Sequence, residues 1–272
     1  MSAPALPPQH LLALLRDPKG LGKLDVEGAS LVSRSGSRRY PIIDSMPSFI
    51  GEAQLGPQNR KFQRMYDWMC HIYDAGQAVG DVVLGGRIAE ARRRVAAALH
   101  LRPGHRLLYT SVGTGADLRY LGEQAPLGSL EFVGLDLSMG MLRRCRKRIR
   151  GLEATSLLVQ ANAEELPFAD QAFDAVLHVG GINFFDRPEV AAREMLRVAK
   201  QGARIVVADE TERVVTGSYQ RYPLTRAYFK GAATDFNPRS WIPEGAVDPR
   251  YEEFWDGRMY ILTFRAPTLR SP

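Results

Sequence analysis

The stretch from Leu107 to Leu118, LLYTSVGTGADL, constrains this chain more than any other. An apolar run breaks into a turn at Ser111, Gly113 and Gly115, and a second apolar run, FVGLDL, carries Asp136 near its end. That order reads as strand, tight turn, helix, strand and acidic residue, which describes a cradle for a nucleotide-type cofactor. Glycines let the backbone approach the ligand, and a carboxylate about 20 residues further on accepts from both ribose hydroxyls. An adenosine-containing cofactor is expected.

Which one follows from what is missing. A dinucleotide fingerprint has a third small residue that lets the helix pack close beneath a pyrophosphate, whereas here Gly113-Thr114-Gly115-Ala116-Asp117 runs into Leu118. No basic residue follows directly to hold a phosphate, and Asp117 would repel one. The cradle suits a ligand without phosphates. S-adenosylmethionine, with S-adenosylhomocysteine as its product, carries a ribose, an adenine and a zwitterionic methionyl tail and fits that description.

Longer motifs extend the pattern. Leu108-Tyr109-Thr110-Ser111-Val112-Gly113-Thr114-Gly115 falls on L-D/E-x-G-x-G-x-G, and Gly134-Leu135-Asp136-Leu137-Ser138-Met139-Gly140-Met141-Leu142 on G-x-D-x-S-x-x-M-L. Asn162-Ala163-Glu164-Glu165-Leu166-Pro167-Phe168 falls on D-A-E-x-L-P-F, followed in register by FDAVLHVGGINFF and REMLRVAKQGARIVVAD. With these residues the chain, over roughly 58–266, resembles the class I S-adenosylmethionine-dependent methyltransferases, in the subgroup of the ubiquinone/menaquinone C-methyltransferases. The resemblance implies an α/β, Rossmann-like seven-stranded methyltransferase sheet with a small β-rich module in front. It implies cofactor contacts at Tyr73, Ser111, Gly113, Gly115, Asp136, Leu137, Met141, Asn162, Ala163 and His178. Two positions depart from the pattern. Tyr109 replaces the acidic residue that helps hold the methionyl amine, and Ser111 replaces the first glycine, which a serine can do if its φ is negative.

Bulk properties set further bounds. A chain of 272 residues with 45% apolar and 24% charged residues is ordinary for a soluble globular protein. No apolar run approaches the roughly 18 residues of a membrane span, so no membrane partner is expected. The start MSAPALPPQH lacks the basic and apolar stretches of a signal peptide, and a cytoplasmic location is the expectation. Cys70 and Cys145 lie far apart and the five histidines show no ligand spacing, so no metal is expected. The net charge of +6 owes much to Arg143, Arg144, Arg146, Lys147, Arg148 and Arg150. Because Met141, Leu142, Cys145 and Ile149 fill the apolar stripe of that helix, the charges read as its wet face. Binding of RNA or of an acidic surface stays the other reading.

Residues 1–52 read as a separate module: a short helix at Leu11 to Leu15, then two strands in 31–50 around a polar turn at Ser33 to Ser37. Tyr40-Pro41-Ile42-Ile43-Asp44-Ser45-Met46-Pro47 is similar to the strand ending of the zinc-ribbon modules found as methyltransferase activators. Asp17-Pro18-Lys19-Gly20 stands where the first cysteine pair of such a ribbon belongs and Ser33 is near the second, which implies a degenerate ribbon without metal. The catalytic domain is expected over 58–268. It opens with a helical pattern through Phe62, Met65, Tyr66, Met69, Ile72 and Tyr73, where the resemblance has Tyr73-Asp74 closing over the cofactor. A basic helix runs from Arg87 to Leu99, stopped by Pro103-Gly104. Strands near 106–112, 131–137, 156–162, 173–180 and 203–209 then alternate with helices, and a hairpin at 251–267 turns at Asp256-Gly257. The aromatic-rich stretch 211–245, with Tyr219, Arg221, Tyr222, Arg226, Tyr228, Phe229, Phe236 and Trp241, is too long for a plain connection and reads as an acceptor cap or an oligomer interface.

Methyl transfer is an in-line displacement that gains most from positioning and exclusion of water, and it needs a base only when the acceptor loses a proton. By topology His178, at the end of the fourth strand, is the best-placed catalytic candidate, with His71 and Tyr66 behind it. Three functions stay open: methylation of a small aromatic or lipophilic molecule, methylation of RNA or protein, and a protein of this fold that transfers no methyl group. The aromatic cap favours the first, with nucleic acid not expected as a partner. The acceptor, the atom methylated and the oligomeric state are left undetermined.

Overall fold

A computed structural model describes residues 7–34, 36–51, 55–152, 154–214, 217 and 237–268. A helical turn, α1 (Gln9–Leu12), precedes four short strands, β1 (Leu24–Glu27), β2 (Ser30–Ser33), β3 (Arg39–Ile43) and β4 (Met46–Pro47), which pair in that order as an antiparallel sheet. Sequence reasoning anticipated β2 and β3 only. The outer strand β1 is wet on both faces and β4 is two residues long, so neither carries a clear apolar pattern.

This sheet is separate, but its core is not. Leu11, Leu12, Leu15, Leu31, Tyr40 and Phe49 belong to the same apolar cluster as Val159 and Phe173 of the larger sheet and Phe168 of the connection between them. At the positions set against a ribbon's thiols sits a hydrogen-bonded cluster instead. The buried Asp17 carboxylate accepts from Tyr40 Oη at 2.8 Å, Arg38 Nη1 at 2.7 Å and Lys19 N at 2.9 Å, while Ser33 Oγ accepts from Arg38 N at 3.2 Å. Burial alone would raise the pKa of Asp17, but these donors outweigh it and hold the carboxyl below its usual range. Among the described residues no group of three or more His, Cys, Asp or Glu is placed to hold a metal ion.

Three helices follow: α2 (Pro57–Met69), α3 (Tyr73–Val83) and α4 (Arg87–Ala98). The single pattern read through Tyr73 is therefore two helices, broken at 70–72. Its apolar stripe holds only as far as Phe62 and Met65, which are buried, while Ile72 is exposed. No residue at the start of α2 caps it with a side chain; Asp186, from a distant loop, accepts from the N–H groups of Gln58 and Asn59. Helix α4 ends before the Pro103-Gly104 signal, with His100 at a φ of 52°.

The rest alternates as expected: β5 (Arg106–Thr110), α5 (Leu118–Gln124), β6 (Glu131–Asp136), α6 (Met139–Ile149), β7 (Thr155–Gln160), β8 (Phe173–Val179), α7 (Pro188–Val198), β9 (Ala199–Glu210), β10 (Val247–Phe254) and β11 (Met259–Arg265). The sheet order is β10-β11-β9-β8-β5-β6-β7, with β5 to β9 parallel and β11 antiparallel to both neighbours. The chain winds outward on either side of β5, so the crevice opens at the carboxyl ends of β5, β6 and β8. Strand β7 would be a bare edge. Ser48 pairs with Gln160 in parallel, Phe49 N donates to Gln160 O, and Arg16 N and Ala169 N bond across to Pro167 O and Leu14 O, so the N-terminal residues cover it. The hairpin begins at Val247, four residues earlier than read from the sequence. Of the aromatic stretch, Tyr219, Arg221, Tyr222, Arg226, Tyr228, Phe229 and Phe236 lie outside the described residues, and Trp241 is buried in the shared core.

Candidate functional site

The turn after β5 is built by hydrogen bonds to β6. Val112 N donates to Leu135 O at 3.0 Å and Gly113 N to Asp136 Oδ2 at 2.8 Å, while Asp136 Oδ1 accepts from Ser138 N at 2.9 Å. Gly113 has a φ of +55° and open space where a Cβ would point, as a backbone meant to meet a ligand requires. Ser111 departs from expectation: its φ is +56°, not negative. The bonds to β6 hold this turn in the left-handed region, where a side chain costs roughly 1–2 kcal/mol.

A cavity begins at this turn. Of the residues named from the sequence, Tyr73, Ser111, Gly113, Asp136, Leu137 and Met141 line it. Gly115, Asn162, Ala163 and His178 are not among its lining residues. Gly115 serves packing, since a Cβ there would lie 2.8 Å from Cys145 Sγ. Asn162 Oδ1 accepts from Glu164 N, and Ala163 is buried in the core. His178 is fully buried, with Nδ1 2.9 Å from Thr110 Oγ1 and its ring edge-on to Phe185; burial lowers its pKa to about 3, so it stays neutral. Of the weaker candidates, Tyr66 lines the cavity and His71, exposed beside Arg144, does not.

The first turn of α3 closes over the glycine turn. Tyr73 faces the cavity, and Asp74 accepts from Thr114 Oγ1 at 2.5 Å and from Arg148 Nη2 at 2.9 Å, while Arg148 Nη1 donates to Thr114 O at 2.7 Å. Tyr109 is not among the lining residues and donates to Asp117, which pairs with Arg92 at 3.0 Å. The acidic residue displaced from position 109 thus has a carboxylate counterpart behind the turn. Asp136 itself is raised to about 6 by burial, with the Asp67 charge adding to that and the backbone N–H groups of Ser138, Gly113 and Leu137 opposing it.

The opposite wall was missed from sequence. Val179, Gly180, Gly181, Phe184 and Phe185 line the cavity from the loop after β8, and Asn59, Phe62 and Gln63 from α2. Phe62 stacks on Phe184 with centroids 4.9 Å apart. The glycine pair was the available signal: both residues have positive φ, which lets the chain leave β8 and turn back. Asp209 and Tyr260 hold this loop, Asp209 Oδ2 accepting from Asn183 N and Tyr260 Oη donating to Asn183 Oδ1. Among the described lining residues Asp136 alone is charged, and Phe62, Tyr66, Tyr73, Phe184 and Phe185 supply aromatic surface.

Comparison with known proteins adds to this picture. A family profile described as a methyltransferase domain matches residues 108–207. The chain is 33% identical over 160 residues to a demethylmenaquinone methyltransferase of Renibacterium salmoninarum, which covers 59% of this chain and 63% of that protein, just under two thirds. It is 33% identical over 175 residues to a phosphatidylethanolamine N-methyltransferase of Cereibacter sphaeroides, covering 61% of this chain and 80% of that protein. In fold it resembles the [4+2]-cyclase SpnF, with a TM-score of 0.58 at 18% identity over 79% of this chain and 98% of that one. It also resembles a Haemonchus contortus phosphoethanolamine N-methyltransferase solved with S-adenosyl-L-methionine, with a TM-score of 0.52 at 16% identity over 65% of this chain and 53% of that one.

Proposed function

The chain belongs to the class I S-adenosylmethionine-dependent methyltransferases, and we propose that its acceptor is a small aromatic or lipophilic molecule lying against Phe62, Tyr66, Tyr73, Phe184 and Phe185. The observation that carries this reading is the wall itself, which among the described residues has five aromatic side chains and no charge besides Asp136. Such a wall supplies large apolar area and little to hold a phosphate backbone or an ionic peptide. The names of the two relatives, one for a quinone precursor and one for a phospholipid, agree with it.

The site also suits the cofactor. Each Asp136 oxygen accepts one backbone N–H and keeps a lone pair for a ribose hydroxyl, Leu137 and Met141 flank that carboxylate with apolar surface, and the Ser111 to Gly113 backbone is open to the methionyl end. With Tyr109 turned toward Asp117, the methionyl ammonium falls to backbone carbonyls of the turn and to nearby hydroxyls. When bound, the cofactor supplies a methyl group on a sulfonium, displaced in line by the acceptor. The protein's part is to orient and to exclude water. Burial raises Tyr73 to about 12 and Tyr66 well above its ordinary value, so both phenols stay protonated and serve as hydrogen-bond donors to the acceptor. His178, neutral and buried, holds the end of β8 beside β5. Residues 211–245 belong to this proposal as an acceptor cap, and the N-terminal 1–52 as a metal-free module carried ahead of the 58–268 domain.

Labelled S-adenosylmethionine incubated with a panel of quinols, phenols, phospholipids, RNA and protein tests it. Transfer to a lipophilic acceptor is expected, with Phe184→Ala lowering kcat/KM at least about tenfold, as loss of a buried aromatic contact should, at unchanged affinity for S-adenosylhomocysteine. Transfer confined to RNA or protein would overturn it.

A further inference from the structure

Helix α3 is inside out. Its inward side is polar: Asp74 reaches Thr114 and Arg148, Gln77 Oε1 accepts from Arg92 at 3.3 Å, and Asp81 accepts from Ala89 N at 3.0 Å. Its outward side is apolar, with Val79 63%, Val82 82% and Val83 77% exposed, and Ala75 and Ala78 exposed beside them. None of its residues is buried. A helix of a soluble domain turns its apolar stripe to the core, and here the spacing of 75, 79, 82 and 83 turns it to solvent. Just before it, Ile72 is 57% exposed and Trp68 of α2 76% exposed.

The stripe has a basic border. Arg148 bonds Asp74 at the start of α3 and Arg144 bonds His71, so α6 runs along that end of the stripe. Lys147, between those two arginines, is exposed, and so is Arg64, one turn before Trp68 on α2. These are residues of the basic run that the sequence left open between a solvated face and an acidic surface. An apolar helical stripe with a tryptophan at its end and cations along its border is the pattern of a helix lying in a lipid interface. A two-fold contact between copies would set the same cationic border against itself.

We propose that the outward faces of α2 and α3 dock on the surface of an anionic phospholipid bilayer, with Trp68, Ile72, Val79, Val82 and Val83 entering the headgroup boundary and Arg64 and Lys147 meeting lipid phosphates. This is lying on a membrane, not crossing one; no described helix is long and apolar enough to span. It rests on the proposed function in one respect. The inner sides of the same helices bring Phe62, Tyr66 and Tyr73 to the cavity, so docking would place the cavity wall beside the phase that holds a lipophilic acceptor.

The test is flotation of the full-length chain with vesicles of phosphatidylcholine alone and of phosphatidylcholine mixed with phosphatidylglycerol, in low and high salt. Binding to the mixed vesicles that weakens in high salt is expected. Val82→Asp should lower it at least about tenfold, since it removes one valine that docking would bury and adds a charge, and Trp68→Ala should lower it too. Neither variant should change the affinity for S-adenosylhomocysteine, which reports an intact fold. Absence of binding to the mixed vesicles, or equal binding by wild type and Val82→Asp, would overturn the proposal. So would light scattering that shows a dimer which Val82→Asp converts to monomer, because a second copy would then own this face. Methyl transfer to a detergent-solubilised lipophilic acceptor, measured alongside, separates failure of docking from failure of the acceptor assignment.

Discussion

Each oxygen of the Asp136 carboxylate is tied to a backbone N–H, and burial has raised its pKa to about 6. With Asp136 as the proposed ribose acceptor, the hydroxyls would donate to its ionised form, so protonation would compete with the cofactor. Affinity for S-adenosylhomocysteine, measured by calorimetry, should be flat above neutral pH and fall as pH drops through about 6. Asp136→Asn should weaken binding at neutral pH by on the order of 2 kcal/mol, the scale of charged hydrogen bonds in a desolvated site. Equal affinity in mutant and wild type would remove Asp136 from the site. Ser111 makes the opposite kind of case, a residue in a conformation it does not prefer. Ser111→Gly relieves the left-handed strain and gives back part of the gain as chain entropy, a net stabilisation of roughly 0.5–1 kcal/mol. Thermal unfolding should shift upward by about 2 °C.

Helix α3 depends on its first turn. Asp74 joins it to the glycine turn through Thr114 and to α6 through Arg148, while no residue of the helix is buried. Helices without buried contacts open at low cost, so the latch decides whether Tyr73 stays over the cavity. Asp74→Ala should weaken cofactor affinity by about 1–2 kcal/mol, the worth of a charged hydrogen bond, and hydrogen exchange should speed up across 73–83 with little change in β5 or β6. Unchanged exchange in that helix would show that something else holds it.

For the molecule as a whole, the N-terminal sheet is a cover for the β7 edge with a shared core, and Asp17 holds its own fold together. Asp17→Ala leaves the buried Tyr40 hydroxyl without its acceptor, a loss of about 1–3 kcal/mol, readable as a lower denaturant midpoint. Because the pKa of Asp17 is lowered on folding, the stability it contributes is complete above the ordinary carboxylate range and is lost as pH falls through its own lowered value. The gap between wild type and Asp17→Ala should therefore be full at neutral pH and close in strong acid. Elemental analysis of the purified chain should return no stoichiometric zinc.

The parallel sheet, the glycine turn and the place of Asp136 beside it were legible in the residues, because a buried strand needs an apolar run, a left-handed turn favours glycine, and the strand, turn, helix, strand order brings the end of the second strand next to the turn. Tyr73 was named from the family's motif, and it lines the cavity. Period and spacing are local, and they reach no further than neighbouring elements. The cap on α2 comes from Asp186, the cavity wall pairs Phe62 with Phe184, and the partner of Tyr109 is Asp117 held by Arg92. None of these pairings has a period. The direction of α3 shows the limit most clearly: only the placement of Thr114, Arg148 and Arg92 turns its polar side inward and leaves its valines facing solvent.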